Sequence, residues 1–147
     1  MNARIVSINI SDKKGVRKKV VGSAFLKKNY GIESDAHASD QWHRQISLLA
    51  LESIKKMQDM GLDVGPGDFA ENITTEGIDL PALPVGTKIV IGQNIVVEVS
   101  QIGKVCHNRC AIYYQAGDCV MPKEGIFATV LIGGTVMKGD KIRIVLP

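Results

Sequence analysis

The stretch GTKIVIGQNIVVEVSQIG, residues 86–103, holds two apolar runs rich in β-branched residues, separated by turn-forming residues. Runs of this kind predict β-strands. The same pattern recurs at roughly regular spacing in FAENIT (69–74), GIFATVLIGG (125–134) and DKIRIVLP (140–147). Short strands without intervening helices favour a mainly antiparallel sheet, closed into a barrel or packed as a sandwich, over a parallel α/β sheet.

The N-terminal third adds further strands and a loop. In residues 3–10, ARIVSINI, two sets of side chains alternate along the segment, and β-branched residues are enriched. This pattern predicts a half-buried strand. Residues 18–32 predict a second strand followed by a turn at Gly31. Residues 33–45, ESDAHASDQWHRQ, follow neither the strand period nor the helix period, and we expect a loop.

One segment has helical spacing. Apolar residues recur every three or four positions from Ile46 to Met60, and Gly61 follows as a stop signal. We therefore expect a helix over these residues. The leading RQISLL (44–49) is also compatible with a short strand that runs into the helix.

The composition is that of one globular domain spanning residues 1–147, with 45% hydrophobic and 22% charged residues. No apolar stretch approaches the roughly 18 residues of a membrane span, and the N-terminus does not resemble a signal peptide, so we expect a cytosolic protein. The net charge is +3. Aromatic residues make up 5% of the chain and do not interleave with its basic residues, which argues against nucleic-acid stacking.

The basic residues are unevenly distributed, because residues 13–28 contain no acid. This window either binds an anion or is a solvated basic face, and the sequence alone leaves both interpretations open. Its members are Lys13, Lys14, Arg17, Lys18, Lys19, Lys27 and Lys28.

All three cysteines lie in KVCHNRCAIYYQAGDC, residues 104–119. They could be small core residues, zinc ligands together with His107, or reactive thiols. Zinc is disfavoured because neighbours at 106 and 107 cannot easily coordinate one ion tetrahedrally. Reactivity is favoured by nearby cations that lower a thiol pKa, and a thiolate also suits a soft transition metal. The cations are Lys104, His107 and Arg109.

The loop at 33–45 carries His37 and His43 beside Asp35 and Asp40. Such a set can perform acid–base chemistry or bind the polar edge of a cofactor. Surface histidines without a role are an equally good interpretation at this stage.

Six segments form one pattern along the chain: GIESDAHA (31–38), RQISLL (44–49), GDFAENITTEGIDL (67–80), LPVGTKIVIG (83–92), the cysteine segment, and GIFATVLIGGTVMKGDKI (125–142). Taken in order, these segments resemble the MOSC family, the domain at the C-terminus of molybdenum cofactor sulfurases that also forms small stand-alone bacterial proteins. The chain departs from the family pattern at Ser34, where a glycine usually precedes the aspartate.

This resemblance implies a closed β-barrel like the small barrel domain of pyruvate kinase, with a few short helices. It also implies binding of the molybdenum cofactor (molybdopterin), either with transfer of sulfur to it or as a module of a molybdenum-dependent reductase. Cys106 or Cys110 would be the persulfide carrier or the molybdenum ligand, and Cys119 matches only a subgroup. The cofactor-binding residues implied are Asp35, His37, Arg44, Asn72, Lys104 and Arg109, with Lys18 and Lys19 near the pterin phosphate.

The implied partners are the cofactor, a cysteine desulfurase and a molybdoenzyme. Pyridoxal phosphate would enter only through a separate partner, because one barrel leaves no room for that domain. The alternative is a non-catalytic binding or scaffold barrel whose cysteines are structural or bind zinc.

Overall fold

A computed structural model describes residues 3–14, 16–103 and 121–147. The described strands are β1 Ala3–Ile10, β2 Lys19–Val21, β3 Ser23–Lys27, β4 Gly31–Ile32, β5 Ile46–Ala50, β6 Ile73–Glu76, β7 Lys88–Ile91, β8 Ile95–Ile102, β9 Ile126–Ile132, β10 Gly134–Met137 and β11 Lys141–Val145. The described helices are α1 Leu51–Asp59 and the single turn α2 Met121–Glu124, and a 3₁₀ turn covers Leu80–Ala82. None of these helices is both long and apolar enough to cross a membrane.

Seven of the described strands close into a barrel. Their order is β11-β7-β8-β9-β5-β6-β1, and the sheet closes where Ala3 of β1 pairs with Ile142 of β11. Strand β2 extends this sheet beyond β1, and β10, β3 and β4 form a second small sheet. The prediction of a mainly β, closed barrel with a few short helices is confirmed.

One barrel pair, β5 with β6, is parallel, whereas the other pairs are antiparallel. Helix α1 lies between these two strands in the chain. A parallel pair cannot be joined by a tight hairpin and needs a crossover, which α1 and the residues after it provide.

The barrel wall has an inner and an outer apolar side. Leu48, Ile126 and Ala128 belong to the cluster that fills the interior. Leu49 and Phe127 alternate with them, face outward, and pack with Ile54 and Met57 of α1 in a second cluster. Fully burying side chains of this size contributes roughly 1.5–3 kcal/mol each, so α1 is held to the outer wall by its apolar face.

The helix predicted from Ile46 to Met60 is wrong in its first five residues, which form β5, and the strand alternative for RQISLL is correct there. All five residues of β5 are buried, with neighbours on both edges. A continuously apolar strand of this kind cannot be told from a helix by its period. Similarly, Gly22 divides the single strand expected in 18–32 into β2 and β3, and Gly31 begins β4.

Candidate functional site

Lys18 and Asp35 form a buried ion pair beside the loop that the sequence marked out. The distance between Lys18 Nζ and Asp35 Oδ1 is 2.8 Å, and the two side chains are 0% and 1% exposed. Burial alone would raise the pKa of Asp35. The hydrogen bonds from Lys18 and the Ser11 amide and the charge of Lys18 outweigh burial, with help from Asn72, and hold that pKa below its usual value.

This ion pair determines how His37 is presented. Lys18 Nζ lies 2.9 Å from His37 Nδ1 and 3.0 Å from Ser11 Oγ, so three acceptors surround the ammonium. Because an ammonium group only donates hydrogen bonds, His37 Nδ1 must accept and Nε2 carries the ring proton. The backbone amide of His37 donates to Asp35 Oδ2 at 3.1 Å, which fixes the loop as well as the ring.

Asn72, just before β6, is held by two strands of the barrel wall, β1 and β5. Its Oδ1 accepts from the Ser47 amide at 3.0 Å, and its Nδ2 donates to the Asn9 carbonyl at 3.3 Å. The preceding Ala70 has a φ of +61°, a left-handed conformation that is unusual for a residue other than glycine. The turn at Ala70 brings the side chain of Asn72 to a position where residues of β1 and β5 both contact it.

The segment before Asn72 packs directly on the backbone of Lys18. The Lys18 amide donates to the Gly67 carbonyl at 2.8 Å. A Cβ atom on Gly67 would lie 2.5 Å from the Lys18 carbonyl oxygen, so no side chain fits there. Glu71, which is fully buried, accepts from the Gly67 amide at 3.0 Å and from Thr74 Oγ1 at 2.7 Å. Burial, only partly offset by these hydrogen bonds, raises the pKa of Glu71.

Arg44 is held between two aromatic rings at the start of β5. Its guanidinium carbon lies 4.5 Å from the ring centre of Trp42 and 4.8 Å from that of Phe127. Its Nε donates to Gln101 Oε1 at 3.0 Å. Gln101 in turn donates to the Gly103 carbonyl at 2.8 Å, so the last residues of β8 support the arginine.

These groups meet at a small cavity of about 30 Å³ on the barrel wall. That volume has room for a water molecule or a small terminal group, but not for a ring system. The lining residues are His37, Arg44, Ile46, Ser47, Ala70, Asn72 and Phe127. A larger groove, of about 370 Å³, lies between α1 and the 3₁₀ turn, and none of the site residues predicted from the sequence lines it.

The structure describes six of the site residues that the sequence predicted. His37, Arg44 and Asn72 line the cavity. Lys18 and Asp35 do not line it, but both contact His37, and the five residues are up to 54 positions apart in the chain. Lys19 is exposed on β2. Of the other loop residues, His43 Nε2 lies 2.7 Å from Gln101 Oε1, and Asp40 is exposed.

The remaining predicted residues lie outside the described part of the chain: Lys104, Cys106, Arg109, Cys110 and Cys119. The described chain leaves β8 at Gly103, whose amide donates to the Gly125 carbonyl at 2.7 Å. After Met121 it is tied to α1, since Glu124 accepts from Ser53 Oγ at 2.7 Å and from Lys56 Nζ at 3.0 Å. Within the described ranges, no group of three or more His, Cys, Asp or Glu side chains could hold a metal ion.

Sequence reasoning missed Ser47, Gln101 and Phe127. Ser47 and Gln101 are each paired in register with Phe127, so their side chains share the outer face of the wall. A single polar residue in an apolar strand is the only signal that could have found Ser47. Gln101 had no signal of this kind, because its role depends on which strand lies beside β8.

The fold and the cavity together define a class, the small closed-barrel domains that carry a polar cleft on the barrel wall. The family model of the MOSC domain matches residues 33–143, and this chain belongs to that family. The family is associated with molybdenum cofactor sulfurase-like proteins. A comparison with curated protein sequences finds no significant match.

Solved structures have the same fold. The YUAD protein from Bacillus subtilis is similar with a TM-score of 0.80 and 20% identity, over 98% of this chain and 96% of that chain. YiiM from Geobacillus stearothermophilus has a TM-score of 0.70 and 22% identity, over 97% of this chain and 75% of that chain. YiiM from Escherichia coli has a TM-score of 0.70 and 16% identity, over 100% and 71%. At these identities the likeness concerns the fold.

Proposed function

We propose that this protein binds the molybdenum cofactor and presents it to a cysteine of the 104–119 segment, for sulfur carriage or as a small oxidoreductase module. The observation that carries the proposal is the convergence of His37, Arg44 and Asn72 on one cavity, supported by the buried pair of Lys18 and Asp35. Family membership independently supports the same cofactor class.

The chemistry of the described residues fits a pterin phosphate ligand. Arg44 supplies a guanidinium group, and His37 and Asn72 supply polar groups, which suit the oxygens of a phosphate or the edge of a pterin. The small volume of the cavity means that only a terminal group enters it. The pterin ring therefore lies outside the cavity, and the barrel wall orients the ligand by one end.

The thiols of Cys106 and Cys110 are the proposed metal ligands or sulfur carriers, and Cys119 is the weaker candidate. When bound, the cofactor supplies a soft metal centre that accepts thiolate sulfur. Lys104 and Arg109 are proposed to lower the pKa of the working thiol and to face the ligand. The position of Gly103 supports this proposal, since it is joined through Gln101 to Arg44 at the cavity.

Sulfur for such a function would come from a separate cysteine desulfurase, which would bring its own pyridoxal phosphate, and a molybdoenzyme would receive the product. We place this chemistry in a reducing cytosol, where three clustered thiols do not become structural disulfides. Lys19 is proposed to contribute to ligand attraction only, because it is exposed on β2 and makes no described contact with the cavity.

The test is to produce the protein in a molybdate-replete host that makes the cofactor, and to measure bound molybdenum and pterin in the wild type and in cysteine variants. We expect the Cys106→Ala/Cys110→Ala double variant to lose most of the metal, and Cys119→Ala, the matched control, to retain it. Equal retention by the double variant would remove these thiols from the ligand role.

Thiol titration of the native protein addresses the alternative of a scaffold barrel. One thiol that reacts quickly at neutral pH is expected for sulfur chemistry. Three unreactive thiols without bound molybdenum, or thiols released only when zinc is removed, would instead support structural or zinc-bound cysteines.

A further inference from the structure

Glu71 carries a carboxyl group that is buried beside the barrel wall without a cation. The residue is 0% exposed, and it takes part in none of the salt bridges of the described chain. The groups that reach its two carboxyl oxygens are neutral: the Gly67 amide lies 3.0 Å from Oε1, and Thr74 Oγ1 lies 2.7 Å from Oε2. Because a buried charge is costly without a counter-charge, this environment favours the protonated carboxyl group.

The segments of the described chain that pack on Glu71 form no ion pair with it. β1 supplies Asn9, whose side chain donates to the Glu71 carbonyl at 3.1 Å, and β6 supplies Thr74. The charged side chains of these strands, of the preceding turn and of Lys18 are paired elsewhere: Arg4 with Glu76, Arg17 with Asp68, and Lys18 with Asp35. The ionised form of Glu71 therefore has two neutral hydrogen-bond donors and no opposite charge.

The hydrogen bond between Glu71 and Thr74 depends on the protonation state. A proton on Oε1 would face the Gly67 amide, which is itself a donor, so the neutral carboxyl group carries its proton on Oε2 and donates to Thr74. In the ionised form Thr74 donates instead. Thr74 Oγ1 also accepts from Asn9 Nδ2 at 3.2 Å. Ionisation of Glu71 therefore reverses one hydrogen bond in the network that joins it to β1.

This network positions part of the cavity wall. The Gly67 amide donates to Glu71, and the Gly67 carbonyl accepts from the Lys18 amide at 2.8 Å. Asn72, the residue after Glu71, lines the cavity. It is tied to β1 because the Asn9 amide donates to the Asn72 carbonyl at 2.7 Å and Asn72 Nδ2 donates to the Asn9 carbonyl at 3.3 Å. A movement of residues 67–72 would therefore displace both Asn72 and the support of Lys18.

We infer that Glu71 is a positioning residue whose protonation state controls the turn formed by residues 67–72. With the carboxyl group protonated, the turn packs on Lys18 and β1, and Asn72 lines the cavity. When the proton passes to solvent, the uncompensated charge draws water to the carboxylate, and the turn moves away from Lys18 and β1. This deepens the proposed function, because it places the cavity under the control of pH, and only its biological consequence rests on that function.

The test is carbon-detected NMR of the ligand-free, full-length protein between pH 4 and pH 9. The chemical shift of the Glu71 side-chain carboxyl carbon reports ionisation, and the carbonyl carbons of Gly67 and Asn72 report the position of the turn. We expect the Glu71 carbon to titrate with a midpoint above the ordinary pKa of 4.5. The carbonyl carbons of Gly67 and Asn72 should follow with the same midpoint.

Three variants separate a proton-controlled turn from a merely structural glutamate. Glu71→Gln cannot ionise and should abolish the titration of the Gly67 and Asn72 carbons. Thr74→Val removes a donor to the carboxylate and should raise the midpoint by about one pH unit. Thr75→Val is the matched control, because the Thr75 hydroxyl is buried in the same strand without a hydrogen-bond partner in the described chain, and the midpoint should not change.

A Glu71 carbon with a midpoint at or below pH 4.5, or one that stays protonated through pH 9, would overturn the inference. So would a titration of Glu71 that leaves the Gly67 and Asn72 carbons unchanged, or one that persists at these carbons in Glu71→Gln. If Glu71→Gln does not fold, equal midpoints for Thr74→Val and Thr75→Val would contradict the network.

The inference and the proposed function fail separately. A common titration of Glu71, Gly67 and Asn72 in a protein that carries no molybdenum from a replete host would leave the proton-controlled turn and remove its link to the cofactor. Bound molybdenum in a protein whose Gly67 and Asn72 carbons do not titrate would leave a cofactor site without this control.

Discussion

Lys18 Nζ and Asp35 Oδ1 lie 2.8 Å apart, and neither side chain has appreciable contact with solvent. Lys18, which lies just before β2, is thereby joined to the loop that carries His37 and Arg44. The pair positions the imidazole of His37 and balances the charge of Lys18 with that of Asp35.

Asp35→Asn should destabilise the fold by roughly 3–5 kcal/mol, because it leaves the ammonium of Lys18 buried without a counter-charge. Urea unfolding at neutral pH measures the change. Arg17→Gln, which removes the more exposed Arg17 to Asp68 contact at 3.7 Å, is the control and should cost less than about 1 kcal/mol. A loss for Asp35→Asn as small as that of the control would show that the buried pair is not held together in solution.

The same carboxylate predicts a dependence on acid. The pKa of Asp35 in the folded state lies below its ordinary value of 3.8, so the stability that the carboxylate contributes is present above that pH and is lost as the pH falls through the folded-state pKa. The stability gap between wild type and Asp35→Asn should therefore narrow on acidification below about pH 4. A gap that stays constant from pH 7 to pH 3 would contradict the assignment.

Glu71 predicts the opposite trend. Its folded-state pKa is raised above its ordinary value of 4.5, so its contribution to stability falls as the pH rises from that value through the folded-state pKa. Glu71→Gln should therefore become more favourable relative to wild type between pH 4 and pH 8, because the neutral amide acquires no buried charge as the pH rises. Unfolding curves at the two pH values test this, and a variant that loses stability relative to wild type as the pH rises would refute it.

Gly67→Ala should cost more than Gly61→Ala. Both glycines have φ near +90°, so both substitutions strain the backbone by roughly 1–2 kcal/mol. A Cβ on Gly61 meets nothing within 4 Å, whereas one on Gly67 meets the Lys18 carbonyl oxygen at 2.5 Å. Thermal unfolding of the two variants compares them directly, and equal losses would mean that Gly67 does not pack on Lys18 as described.

Ser34→Gly should stabilise the protein by roughly 0.5–1 kcal/mol, because Ser34 has a φ of +71° that glycine adopts without strain. This is the position at which the chain departs from the family pattern, which usually has a glycine there. Ser23→Gly, at an exposed position in β3, is the matched control and should be destabilising. A Ser34→Gly variant that is less stable than wild type would contradict the left-handed turn.

Much of the barrel could be predicted, since runs such as 86–103 contain β-branched residues and end at turn residues. Strand β5 could not be separated from α1, because a strand buried on both faces lacks alternation. Three residues of the site, His37, Arg44 and Asn72, were predicted from the resemblance of short segments to the MOSC family. The pairing of Lys18 with Asp35 and the support of Arg44 by Gln101 depend on how the barrel closes, which local sequence does not encode.

The most direct test of the central claim is the molybdenum and pterin content of protein freshly purified from a molybdate-replete, cofactor-producing host. The account predicts molybdenum and pterin together, close to one of each per chain at full loading, and neither in protein from a host that cannot make the cofactor. Wild-type protein that carries neither from the replete host would contradict the proposed function.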